Sequence, residues 1–105
     1  MANKNEMFLY RVYDESTDLW HNAFPAFNDA EAIRRVMSSM VHQPEGDYFV
    51  FPAQFHMKCV GSIRSDTAEP QKLEEGARYV TSFVEIKAAL KAMLAEEGES
   101  DAHAA

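Results

Sequence analysis

The residues with most chemical content are the cations Arg11, Arg34, Arg35, Lys58 and Arg64, together with the tyrosines Tyr10, Tyr13 and Tyr48. Cations follow a phosphate backbone while aromatic faces stack on bases, so this mixture is the one that single-stranded nucleic acid asks for. The expected contact set is Arg11, Tyr13, Arg34, Arg35, Tyr48, Lys58 and Arg64. It would run over Arg34 and Arg35 toward a sheet edge bearing Lys58 or Arg64. A structural account competes with it, because aromatics that alternate along strands ordinarily face a core.

Catalytic signatures are missing. The chain has no GxxxxGK[ST] phosphate loop, GxGxxG turn, HExxH helix or GxSxG elbow. His42, His56 and Cys59 are the one soft cluster, and zinc would need them to converge with a further ligand. Cys59 could act as a nucleophile beside His56 only in an electropositive cavity. The pairs Glu74 with Glu75 and Glu96 with Glu97 read as solvated charge. Neither an enzyme nor a metal or other cofactor is expected.

The 105 residues carry a net charge of −7, with 47% hydrophobic and 26% charged residues, which is the make-up of one globular domain. Whole-molecule attraction to nucleic acid is disfavoured. Glu96, Glu97, Glu99 and Asp101 concentrate part of the negative charge in the last ten residues. Between Ala32 and Arg64 the balance reverses, since Arg34, Arg35, Lys58 and Arg64 oppose only Glu45 and Asp47. A single cysteine rules out a disulfide framework within the chain and suits a reducing compartment. No window approaches the ~18 apolar residues of a membrane span, and the start lacks a charged segment followed by a long apolar one.

The elements that must position these groups follow from periodicity. Residues 1–6 read as a flexible extension and 7–95 as one α+β domain, followed by an acidic disordered tail at 96–105. A first strand begins near Met7, with Phe8, Tyr10 and Val12 on the core face and Leu9, Arg11 and Tyr13 on the other. Residues 14–18 suit a turn into a second strand, LWHNAF, which Pro25 ends. A helix over 29–42 is capped by Asn28 with Glu31 three residues on, and Ile33, Val36, Met37, Met40 and Val41 form its apolar face. DYFVFPAQF (47–55) reads as a strand with Phe49, Phe51, Ala53 and Phe55 on one face. Residues 56–64 would return as its hairpin partner, and 65–80 would be a long connection. Ser82 and Glu85 have capping-box spacing, so a second helix over 83–96 presents Phe83, Ile86, Leu90, Met93 and Leu94 and ends near Glu97 and Gly98. The expected fold is α+β: a mainly antiparallel sheet of about four strands, from two hairpins, with both helices on one face. Phe8, Val12, Ile33, Met37, Phe49, Phe51, Ile86 and Leu90 should be the most buried residues.

The ordered run MFLYRVYD, AFPAFND, AEAIRRV and PEGDYFVFPAQF, followed by a Gly-containing segment, resembles the small non-structural protein of gokushovirus-type microviruses, the tailless single-stranded DNA phages. The resemblance covers about residues 7–63. Tyr13 and Asp14, Ala32 to Arg34, and Glu45 with Asp47 and Tyr48 occupy its recurring positions. Gly46 is inserted in the Pro-Glu-Asp-Tyr run, and the residues before Met7 and the acidic tail are additional. The resemblance implies an accessory protein of the host bacterial cytoplasm, linked to DNA binding and to the switch from duplex replication toward single-strand synthesis and packaging.

Three readings compete: a DNA-associated replication protein, an interaction or assembly adaptor that never touches DNA, and a small enzyme. Expected partners are single-stranded DNA, a phage or host replication or assembly protein, and a second copy in a homodimer, with no membrane. The dimer would use the sheet edge or the final helix, where Phe83, Ile86, Leu90 and Met93 have seam spacing.

Overall fold

The computed structural model describes residues 6–64, 66, 69–73 and 76–96, together with the backbone of the last helix to Ala104. The expectations for residues 1–5, for Glu74 with Glu75 and for the side chains of the tail beyond Glu96 lie outside the described residues.

Two long strands form the centre. β1 (Glu6–Asp14) pairs antiparallel with β4 (Phe55–Arg64), from Glu6 opposite Arg64 to Asp14 opposite Phe55. The free side of β1 is shared by β2 (Leu19–Trp20) and β3 (Phe24–Ala26). The free side of β4 is shared by β5 (Pro70–Lys72) and β6 (Arg78–Ser82). Six strands therefore occupy four rows, antiparallel throughout, and the class is α+β.

Helix α1 (Asp29–His42) starts where expected: the Asn28 side chain accepts from the Glu31 amide, and Asp29 and Glu31 lie in the favourable first turn. At α3 (Phe83–Ala104) the Glu85 amide donates to Ser82 Oγ at 3.4 Å, while Glu85 accepts from the Thr81 hydroxyl at 2.8 Å. The α3 backbone continues past the end expected at Glu97 and Gly98, since one glycine costs a helix only about 1 kcal/mol and no proline follows.

Both helices lie on one face of the sheet. Ala32, Val36 and Met40 of α1 and Phe83, Ile86 and Leu90 of α3 share a buried core with Tyr10, Val12, Phe55, Met57 and Cys59. Ile33, Met37, Phe8 and Phe49 pack against that core only partly buried. Val41, Met93 and Leu94 are exposed, because the apolar stripe of α1 centres on Ala32 and that of α3 ends at Leu90.

The expected strands and connections fail in four places. LWHNAF does not form one strand; it breaks into β2 and β3, and Pro25 is held inside β3 on an outer row, opposite Leu9. Residues 47–54 are helical turns, α2 (Asp47–Val50) and a 3-10 turn (Pro52–Gln54), which leaves Phe51 52% exposed. Pro52 starts that turn, a position where a missing N–H costs nothing. Residues 56–64 do not return as a second hairpin arm; they belong to the single strand β4. The stretch 65–80 is not wholly a connection, for it supplies β5 and the start of β6.

Two bulges set which side chains share a face. Leu9 pairs with Gly61 but Tyr10 with Cys59, so Val60 is the extra residue in β4. Met57 pairs with Thr81 but Lys58 with Tyr79, so Val80 is the extra residue in β6. Each inserted residue reverses the alternation of the strand beyond it.

Candidate nucleic-acid interface

The face of the sheet turned away from the helices carries two cross-strand rows. In one, Trp20 lies opposite Tyr13, which lies opposite His56. In the other, Arg11 lies opposite Lys58, which lies opposite Tyr79. Strict alternation along β1 puts Arg11 and Tyr13 on this face while Tyr10 and Val12 enter the core. The Val80 bulge turns Tyr79 onto the same face although Thr81 points inward.

Close contacts join Arg11, Tyr13, Trp20 and Lys58 into one group and His56 and Tyr79 into another. The Tyr13 and Trp20 rings have centroids 5.1 Å apart, tilted by 50°. Arg11 donates from Nε to the His21 carbonyl at 2.9 Å and lies over the Trp20 ring at 5.6 Å. The Lys58 ammonium is 5.4 Å from the Trp20 centroid and 5.9 Å from that of Tyr13. His56 and Tyr79 sit 5.9 Å apart, with His56 Nδ1 and the Tyr79 hydroxyl at 3.2 Å. Trp20 is 38% and Tyr79 54% exposed, so ring faces remain in water.

The β1–β2 turn bounds the patch with negative charge. Asp14 accepts from the Ser16 amide and hydroxyl, fixing the turn. Asp18 adopts a left-handed φ of 55° and accepts the Tyr13 hydroxyl, a bond that pushes the phenol pKa up and keeps it neutral. Glu15 Oε2 lies 3.2 Å from His56 Nε2. The patch thus carries two cations, Arg11 and Lys58, with the carboxylates of Glu15 and Asp18 at its rim, so aromatic surface is the larger part of what this face offers a ligand.

Of the residues expected from sequence, Arg11, Tyr13 and Lys58 come together here. Arg34 and Arg35 do not, because they are exposed on α1 on the helical side of the sheet, where Arg35 pairs with Glu31 at 3.0 Å. No basic track therefore runs from them to Lys58. Tyr48 also lies on the helical side, wedged edge-on between Phe55 and Phe83, with burial pushing its phenol pKa up. Tyr10 is fully buried rather than accessible. Arg64 lies beyond the Val60 bulge and is bound by Asp66 at 3.0 and 3.1 Å.

Sequence reasoning missed Trp20 and Tyr79 and considered His56 only for metal or thiol chemistry. Trp20 was legible only through its register opposite Tyr13, and Tyr79 only through a bulge. The soft cluster disperses: His42 ends α1, His56 is on the open face, and Cys59 is buried with its thiol 3.7 Å from the Gly61 carbonyl and its pKa raised by burial. Among the described residues no three His, Cys, Asp or Glu side chains are grouped to hold a metal ion. No helix among them is long and apolar enough to cross a membrane.

A family model described as Phage ORF5 protein matches residues 7–86, and the chain belongs to that family. No curated protein and no solved structure matches it.

Proposed function

We propose that this member of the Phage ORF5 family, a phage accessory protein, binds single-stranded DNA on the open face of its sheet. The observation that supports the reading is the double row of Trp20, Tyr13, His56, Arg11, Lys58 and Tyr79. Base faces can stack on the aromatics while the two cations reach phosphates. Sheet rows are about 4.8 Å apart, so the patch from β2 to β6 spans roughly 14 Å and suits two or three nucleotides.

The sequence resemblance to the gokushovirus-type microviruses supports reading it as a protein that acts in the host cytoplasm. Covering a newly displaced single strand would keep it from serving as template for its complement, which is the step that separates duplex replication from single-strand synthesis and packaging. On this reading the chain is a binder without catalytic activity.

Titration of the single tryptophan with oligothymidylate at low salt tests the reading. Stacking should quench Trp20 fluorescence, and Trp20→Ala should weaken binding of a labelled oligonucleotide by a stacking contribution of about 1–3 kcal/mol. The rim carboxylates Glu15 and Asp18 favour the second reading, a protein adaptor. Unquenched fluorescence and no retention of the oligonucleotide would reject DNA binding and leave the adaptor.

A further inference from the structure

We infer that a cleft on the other side of the sheet, between the β1–β2 arm and the α1–α2 segment, is a binding site for an organic cation: a guanidinium or ammonium group on an apolar stem. The cleft holds a cavity of about 310 Å³ whose walls include Asp14, Asp47, Gln43, His21, Tyr48 and Phe55. A neighbouring cavity of about 210 Å³ shares His21 and Tyr48 and adds Val12, Phe24 and Val36. One half is thus anionic and aromatic, and the other is apolar.

The aromatic wall is a built feature. His21 Nδ1 and the Tyr48 hydroxyl are 2.6 Å apart, and their rings stack at 5.8 Å and 24°. Tyr48 is braced by edge contacts to Phe55 at 4.8 Å and Phe83 at 4.9 Å. Aromatic faces beside carboxylates attract a cation through both charge and ring quadrupole. Hydrogen bonds from Ser16 hold the Asp14 carboxyl below its ordinary value, which keeps that wall anionic. Among the described residues that line the two cavities the one Lys or Arg is Arg35, at the apolar cavity, and it is paired with Glu31 at 3.0 Å. A phosphate-bearing ligand would meet two carboxylates, whereas an arginine-like side chain could lay its methylenes on Val12, Phe24 and Val36 and its head group toward Asp47.

Such a cation could be a free amine or a side chain of a partner protein. Calorimetric titration of the full chain with agmatine and with N-acetylarginine methylamide separates these sources, and N-acetylcitrulline methylamide supplies the uncharged control. Saturable binding of at least one cation is expected, with the citrulline compound about tenfold weaker or worse. Asp47 is exposed, so Asp47→Asn should fold and should weaken the cation by about fivefold or more. Tighter binding of the arginine amide points to a partner's side chain, and tighter binding of agmatine to a free amine. Equal binding of the citrulline compound, an unchanged affinity in Asp47→Asn, or no saturation by either cation at millimolar concentration would overturn the site. Should the variant fail to fold, the citrulline comparison on the natural chain decides. Oligonucleotide binding at Trp20 is a separate measurement, so either assignment can fail without the other.

Discussion

Asp29 and Arg78, 49 residues apart, are joined by two hydrogen bonds of 2.9 Å, one to each carboxylate oxygen. The pair fastens the first turn of α1 to the outer strand β6, and the buried Tyr10 hydroxyl donates to the same carboxylate at 2.7 Å. One acidic side chain therefore links the helix layer to strands on both sides of the sheet centre.

The Arg78 hydrogen bonds, and after them the one from Tyr10, lower the Asp29 pKa below its ordinary 3.8. A depressed carboxylate contributes stability above its unfolded value, and that contribution is lost as pH falls through the folded value. Urea unfolding between pH 6 and pH 2.5 should show the natural chain losing more stability than Asp29→Asn across the region below about pH 4. The difference should be modest, because both side chains are more than a third exposed and solvent screens the pair. Parallel loss in the two proteins would show that the link stores no pH-dependent stability.

Leu90 is buried among core residues while Ile33 only borders them. Leu90→Ala should cost about 2–5 kcal/mol and Ile33→Ala about half as much, since partial exposure reduces both the transfer and the cavity contributions. Chemical denaturation of both variants measures the ranking. Equal costs would place Ile33 deeper than its exposure indicates.

A Cβ added at Gly61 would lie 2.3 Å from the backbone carbonyl oxygen of Gln71. No side-chain rotation relieves a contact with backbone, so in Gly61→Ala the strand β5 must move off β4. A loss of about 1–3 kcal/mol is expected, together with faster amide exchange at Gln71 and Lys72. Exchange rates matching the natural chain would mean that β5 is not held at this distance.

With Arg11 and Lys58 as the phosphate contacts, the logarithm of DNA affinity should fall with the logarithm of salt with a slope of about −1.4. Lys58→Ala should make the slope shallower by about 0.7. Arg34→Ala combined with Arg35→Ala should leave both slope and affinity unchanged, because these side chains lie on the helical side of the sheet. Anisotropy at several salt concentrations reads all three. A large loss in the double variant would move the interface to α1.

The local signals that held are those that need no distant partner. Asn28 followed by Glu31, and Ser82 followed by Glu85, mark helix starts through groups three residues apart. Alternation in β1 put Tyr10 and Val12 inward and Arg11 and Tyr13 outward because a strand's period is fixed by its own backbone. Those patterns were enough for the class of fold, the two main helices and half of the open face.

Pairing decided the rest. The run at 47–55 alternates like a strand, but a strand persists only where a neighbour takes its hydrogen bonds, and the chain forms helical turns there until Phe55 meets Asp14. The extra residues Val60 and Val80 reverse alternation in ways that no single strand's sequence reveals. Trp20 and His56 flank Tyr13 only because β2 and β4 pair with β1 on its two sides, and Tyr79 joins that face opposite Lys58 only because β6 pairs with β4 through the Val80 bulge. Sequence thus determined which side chains could face water from β1. Register between distant strands, set by the packing of Tyr10, Met57 and Cys59 beneath the helices, determined which aromatics and cations stand beside them.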